Sequence, residues 1–185
     1  QARTALGIPM ESKIAVYTGH LYGWKGVDTL ASAASLLPNV SVYFVGGTVQ
    51  DVKHFTSLWG HHENIHMIGH RPHTEIPLWQ RAADVLVLPN TAKEEISAHY
   101  TSPMKLFEYM ASGTPIVASN LPSIREIAEG RATLVEPDSP KALAHGLRAI
   151  FEGSVGEKEA AAASAWIGEH TWQKRAARIL ARIKI

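Results

Sequence analysis

The chain has 185 residues, with 18 Lys plus Arg against 17 Asp plus Glu and a formal net charge of +1, which argues against a broad phosphate-neutralising surface for nucleic acid and makes any anion site a local one. Hydrophobic residues are 45% and charged residues 19% of the whole, a globular balance, and the longest apolar runs, Ala83–Pro89 and Ile14–Tyr17, are too short to cross a bilayer. The absence of cysteine excludes disulfides, thiolate metal sites and cysteine nucleophiles, and fits a reducing compartment, with the cytoplasm as the expected localisation.

Residues Gln1–Met10 carry no basic-then-apolar signal pattern and read as a lead-in cut from something longer. From Lys13 onward, short runs rich in β-branched residues alternate with segments of helical period. The strands expected are Lys13–Thr18, Ser41–Val45, Asn64–Ile68, Asp84–Leu88, Pro115–Ala118 and Thr133–Val135. The helices between them are Val27–Leu37, Val49–Trp59, Glu75–Arg81, Pro103–Ser112 and Pro122–Glu129. Runs such as Asp84-Val-Leu-Val-Leu88 are continuous rather than alternating, as burial on both faces of a parallel sheet requires. The fold expected is therefore α/β, a Rossmann-like doubly wound parallel sheet of about six strands, with residues 1–185 forming one domain.

After Pro140 the pattern is wholly helical, with Lys141–Phe151, Glu157–Ile167 and Thr171–Ile183. The last of these carries an apolar stripe of Trp172, Ala176, Ile179 and Ile183 and is expected to pack onto the domain.

Open parallel sheets bind ligands beyond the carboxyl ends of their strands, so the loops there are the candidates. The loop Thr18-Gly-His-Leu-Tyr-Gly-Trp-Lys-Gly26 combines glycines with His20 and Lys25 ahead of a helix start. That composition suits a phosphate and equally suits a plain turn. It is neither a Walker A motif nor a Gly-x-Gly-x-x-Gly fingerprint. Val45-Gly-Gly-Thr48 also permits close backbone approach. The segment Tyr100–Gly113 is the sharpest signal: Ser102 reads as an N-cap and Pro103 as the first helical residue, leaving amides near Met104 and Lys105 free for an anion. Lys105 and Glu108, three apart, share a helix face and also suit a surface ion pair. The ten histidines, several clustered as His61, His62 and His66, show no helical pair with a partner carboxylate, so no metal is expected.

Taken together, Gly19–Gly26, Val45–Gly47, Ala83–Pro89 and Glu108–Ser119 resemble, in order and spacing, the group 1 (family four) glycosyltransferases, over about Leu6 to Ile183. The resemblance implies a GT-B enzyme of two Rossmann-like domains around a cleft. This chain is similar to its C-terminal, donor-binding domain, and the N-terminal acceptor domain is absent from it. It further implies metal-independent transfer, without cofactor, of a sugar from a nucleoside diphosphate sugar with retention of configuration.

Residue by residue, the family's diphosphate-binding Lys-Gly after the first strand falls on Lys25-Gly26, with Gly19 in the same loop. The Glu that holds the ribose falls on Glu108, and Lys25 and Glu108 are the expected catalytic pair. Thr101, Ser102, Met104 and Lys105 are expected to face the diphosphate, and His70 and Arg71 the base. Two positions depart from the family pattern. His20 stands where an Arg is usual, and Tyr100 stands where the first Glu of a Glu-x7-Glu signature would contact the sugar, with Glu94 and Glu95 out of register. The acceptor is left open, a peripheral membrane acceptor included. So is a non-catalytic nucleotide-binding or assembly module that keeps the fold without the chemistry. A sugar-nucleotide epimerase or a phosphorylase of related architecture would need an active-site base or a pyridoxal lysine, and the sequence places neither.

Overall fold

The computed structural model describes residues 1–183. Six strands, Lys13–Thr18 (β1), Val40–Val45 (β2), Ile65–Gly69 (β3), Val85–Leu88 (β4), Ile116–Ser119 (β5) and Thr133–Val135 (β6), form one sheet in the order β3-β2-β1-β4-β5-β6. Every pairing is parallel, as the continuous apolar runs require. Residues of β1 alternate between two cores: Ile14 and Val16 enter one and Ala15 and Tyr17 the other.

Helices Val27–Ala34 (α2), Val49–Trp59 (α3) and Pro140–Phe151 (α7) cover the face of Ala15 and Tyr17, burying Leu30, Phe55 and Leu147. The opposite face is covered by Ile76–Ala82 (α4), Met104–Ser112 (α5), Pro122–Ala128 (α6) and Glu157–Ile167 (α8), through Trp79, Leu106, Ile124 and Ala163. A short first helix, Ala2–Leu6 (α1), packs beside α4, and a last one, Trp172–Leu180 (α9), ends the regular structure. The chain builds β1 to β3 outward on one side and then returns to lay β4 against the other edge of β1. The loops after β1 and β4 therefore part company at one point, and the crevice between them is the natural ligand position.

Three expectations change. Within Gln1–Met10, read as a lead-in, Ala2–Leu6 is a helix docked on the domain, and Arg3 is its anchor. Its guanidinium donates to the carbonyls of Ala82, Met10 and Ser12 and pairs with Asp84 at 2.6 Å. Asp84 also accepts the Ile14 amide at 2.8 Å, so one carboxylate joins α1 to the amino-terminal ends of β1 and β4.

The capping read at Ser102 and Pro103 is also corrected. The segment before α5 contains a π-helical turn, Ile96–Tyr100, and the Thr101 hydroxyl donates back to the Ile96 carbonyl at 2.6 Å. Pro103, at ψ 72°, is not yet helical, and α5 starts at Met104 without a side-chain cap. The Ser102 hydroxyl is thus one residue too early to reach the helix amides, and its carbonyl instead receives the Met104 N–H at 2.9 Å.

Finally, α9 does not pack onto the sheet. It buries no residue, and Trp172 and Leu180 are each 65% exposed. Helical period reveals that a face is apolar; it does not reveal what covers it.

Two measurements test these assignments by urea unfolding. Asp84→Ala should cost about 1–3 kcal/mol, because it strands the buried Ile14 amide and the Arg3 guanidinium together. A chain ending at His170, lacking α9, should unfold within about 0.5 kcal/mol of the full one, since no core contact is lost.

Candidate functional site

The carboxyl ends of the first three strands meet through glycine backbone. The Gly19 amide donates to the Val45 carbonyl and the Gly46 amide to the Gly69 carbonyl, each at 2.8 Å. Gly46, at φ 130°, packs so closely on this ladder that a Cβ there would stand 2.3 Å from the Gly19 carbonyl oxygen. No other residue type fits. The result is a flat floor of Thr18, Gly19, Val45, Gly46 and Gly47 to a cleft of about 290 Å³. One wall comes from the loop after β3 and the start of α4, with His70, Arg71, His73 and Ile76. The other comes from α5, with Lys105 and Glu108, and His20 stands at the rim.

Helix α5 is fastened to β1 by two tyrosines. The ladder between β1 and β4 stops at Val16 and Leu86, so the Thr18 amide has no strand partner on that side. The Tyr109 hydroxyl supplies one, accepting from the Thr18 amide at 3.0 Å and meeting the Thr18 hydroxyl at 3.2 Å. Burial pushes the Tyr109 phenol up to about 12, against the opposing pull of the two Thr18 bonds. Tyr17, one residue earlier, receives the Lys105 ammonium at 3.0 Å and donates to the His20 carbonyl at 2.6 Å.

Lys105 is accordingly no surface ion-pair partner. Its Nζ lies 4.4 Å from the centre of the Tyr17 ring, directly over Gly19, where a Cβ would stand 2.0 Å from it. Burial, and then the charge of Lys25, pull its pKa from the ordinary lysine value down to about 7, while Glu108 acts weakly the other way. Lys25 itself rests over the Trp24 ring at 3.6 Å, and burial lowers it too. Among the described residues neither lysine makes an ion pair. Two partly desolvated cations, without counter-ions among the described residues, make a place where an anion is stabilised.

Of the residues singled out in the sequence, Gly19, His20, His70, Arg71, Lys105 and Glu108 line this one cleft. Lys25 does not line it but acts on Lys105 from the neighbouring turn Gly23–Lys25. Thr101, Ser102 and Met104 lie before or at the start of α5 and are not among the lining residues, and Tyr100 is 76% exposed on the π-helical turn. Sequence reasoning missed Tyr17, Tyr109 and His73. The tyrosines sit inside apolar runs and read as core, and nothing in spacing marks a core tyrosine whose hydroxyl reaches a site. Among the described residues no group of three His, Asp or Glu side chains could hold a metal ion, and no helix is long and apolar enough to cross a membrane.

A doubly wound sheet with a cationic cleft over the carboxyl ends of its strands defines the class: an α/β domain of Rossmann-like fold. The family model of the glycosyl transferases group 1 matches residues 12–153, and the chain belongs to that family.

Among curated relatives, D-inositol 3-phosphate glycosyltransferase of Corynebacterium glutamicum is 28% identical over 166 residues, covering 82% of this chain and 38% of the relative. That of Mycolicibacterium gilvum is 29% identical over 161 residues, covering 81% and 34%. The chain thus spans well under half the length of these relatives. Solved structures of like fold include sucrose-phosphate synthase from Thermosynechococcus elongatus, with a TM-score of 0.81 and 22% identity over 96% of this chain and 46% of that one. Anabaena HepE in complex with UDP-glucose gives 0.79 and 24%, over 98% and 51%. A C-terminal domain of a group 1 family protein from Francisella tularensis gives 0.70 and 23%, and here the match covers 91% of this chain and 90% of that one. The expected fold, that of a GT-B C-terminal domain, is the one observed.

Tyr109→Phe tests the fastening of α5. It removes a single oxygen and leaves the Thr18 amide buried without a partner, so urea unfolding should show a loss of about 1–3 kcal/mol.

Proposed function

We propose that this chain is the nucleotide-sugar-binding part of a retaining glycosyltransferase that takes a sugar from a nucleoside diphosphate sugar. The observation that carries the reading is the cleft itself, in which Lys105 has no counter-ion among the described residues, with Lys25 likewise unpaired on the neighbouring turn and a carboxylate, Glu108, one helical turn from Lys105. That spacing suits a diphosphate followed by a ribose. Lys105, Lys25 and His20 take the diphosphate above Gly19, whose lack of a side chain leaves it room, Glu108 accepts the ribose hydroxyls, and His70 and Arg71 border the base. Anabaena HepE, of the same fold, was solved with UDP-glucose, which supports a nucleotide sugar as the ligand class.

As the bond from the anomeric carbon to the diphosphate breaks, negative charge grows on the leaving oxygen. The lysines and the start of α5 stand where that charge appears, so the contribution of this part is stabilisation and positioning, without metal or cofactor. Thr101, Ser102 and Met104 reach the diphosphate only if the approach to α5 tightens on binding, and Tyr100 takes the sugar side from its exposed turn. The acceptor is supplied by a second domain, since transfer needs both walls of a cleft.

Calorimetry of this chain with UDP-, GDP- and ADP-glucose is the test, and one of the three should bind. Lys25→Ala and Glu108→Gln should each weaken that binding about tenfold, or ~1.4 kcal/mol. Equal affinity in wild type and both variants removes these residues from the site. No binding by any nucleotide sugar favours a module that kept the fold and lost the chemistry.

A further inference from the structure

The Lys105 ammonium is placed in an unusual way for a surface helix. It is folded back over the Gly19 backbone, with the Tyr17 ring beneath it and the Tyr17 hydroxyl as its hydrogen-bond acceptor. The same hydroxyl spends its own proton on the His20 carbonyl. One buried oxygen therefore sets both the lysine on α5 and the loop after β1, the two parts that flank the cleft floor. We propose that Tyr17 is a positioning residue of the donor site, and that the Lys105 it holds takes up a proton when the diphosphate of a nucleotide sugar arrives. This inference rests on the nucleotide-sugar reading given above.

The groups facing Lys105 decide the sign. From β1 and its loop come Tyr17, His20 and Lys25. From α5 come Glu108 and the buried Tyr109 phenol, and across the cleft stand His70, Arg71 and His73. Glu108 is the one carboxylate in this set. Burial, and then the charge of Lys25, outweigh it, and the free lysine loses its proton above about pH 7. A bound diphosphate reverses the balance, because an adjacent anion favours the charged form. Binding below that pH finds the proton already present; binding above it must draw one from solvent, and affinity falls by up to tenfold per pH unit. Arg71 is permanently charged and adds no such dependence.

The first measurement needs no ligand. In the free chain, the side-chain nitrogen resonance of Lys105 should titrate near pH 7, far from an ordinary lysine. Tyr17→Phe, which deletes the acceptor oxygen, should move that titration down by roughly half a pH unit or more. The second is calorimetry with whichever of UDP-, GDP- or ADP-glucose binds, at about pH 8 in two buffers of different ionisation enthalpy. Wild type should take up about 0.9 proton per nucleotide sugar, and Lys105→Arg, which cannot lose its charge, close to none. A titration of Lys105 near that of an ordinary lysine, or equal uptake in the Lys105→Arg protein, overturns the inference while leaving the nucleotide-sugar reading intact. A depressed titration with no binding of any nucleotide sugar overturns both.

Discussion

Two hydroxyls, Tyr17 on β1 and Tyr109 on α5, hold a helix against the end of a strand, and the geometry of the cleft follows from where they set it. Tyr109 extends a strand ladder that would otherwise stop short, since β1 runs two residues beyond its pairing with β4. Tyr17 reaches the opposite way, from the strand to Lys105 of the helix. Because both oxygens are buried, each bond acts in a poor dielectric and each leaves a costly orphan if broken. With α5 so placed, Glu108 and Lys105 arrive on one wall without forming an ion pair, and Gly19 must be glycine because the lysine occupies the space of its side chain.

The second consequence is electrostatic. A chain with net charge +1 has no field of its own to gather anions, yet its cleft draws Lys105, Arg71, His20, His70 and His73 around one carboxylate. Holding Lys105 and Lys25 partly desolvated and unpaired costs stability in the free protein, visible in the lowering of both lysines by burial. On the function proposed above, a bound diphosphate recovers that cost, so that a local site achieves affinity that overall charge does not provide.

The far end of the sheet is organised by different means. Arg3 and Asp84 close the amino-terminal ends of β1 and β4, so the strands diverge only where the ligand crevice lies. The apolar stripe of α9 stays uncovered among the described residues, in a chain that covers about two fifths of the relatives it matches.

Strand and helix order were legible because they depend on local pattern: continuous β-branched runs, helical period, and Gly or Pro at the breaks. So were Gly19, His20, Lys105 and Glu108 as site candidates, because a parallel sheet puts its ligands at the carboxyl ends of its strands whatever the details. The sequence could not reveal that Tyr17 and Tyr109 serve the site, since a tyrosine in an apolar run looks like core until its oxygen has a partner 88 or 91 residues away. Nor could it place the start of α5, where a π-helical turn upstream overrides the capping read from Ser102 and Pro103. Local propensity and periodicity determined the class of fold and the neighbourhood of the cleft. Burial and long-range hydrogen bonding, which exist only once distant segments meet, decided which lysine loses its water and which oxygen holds it in place.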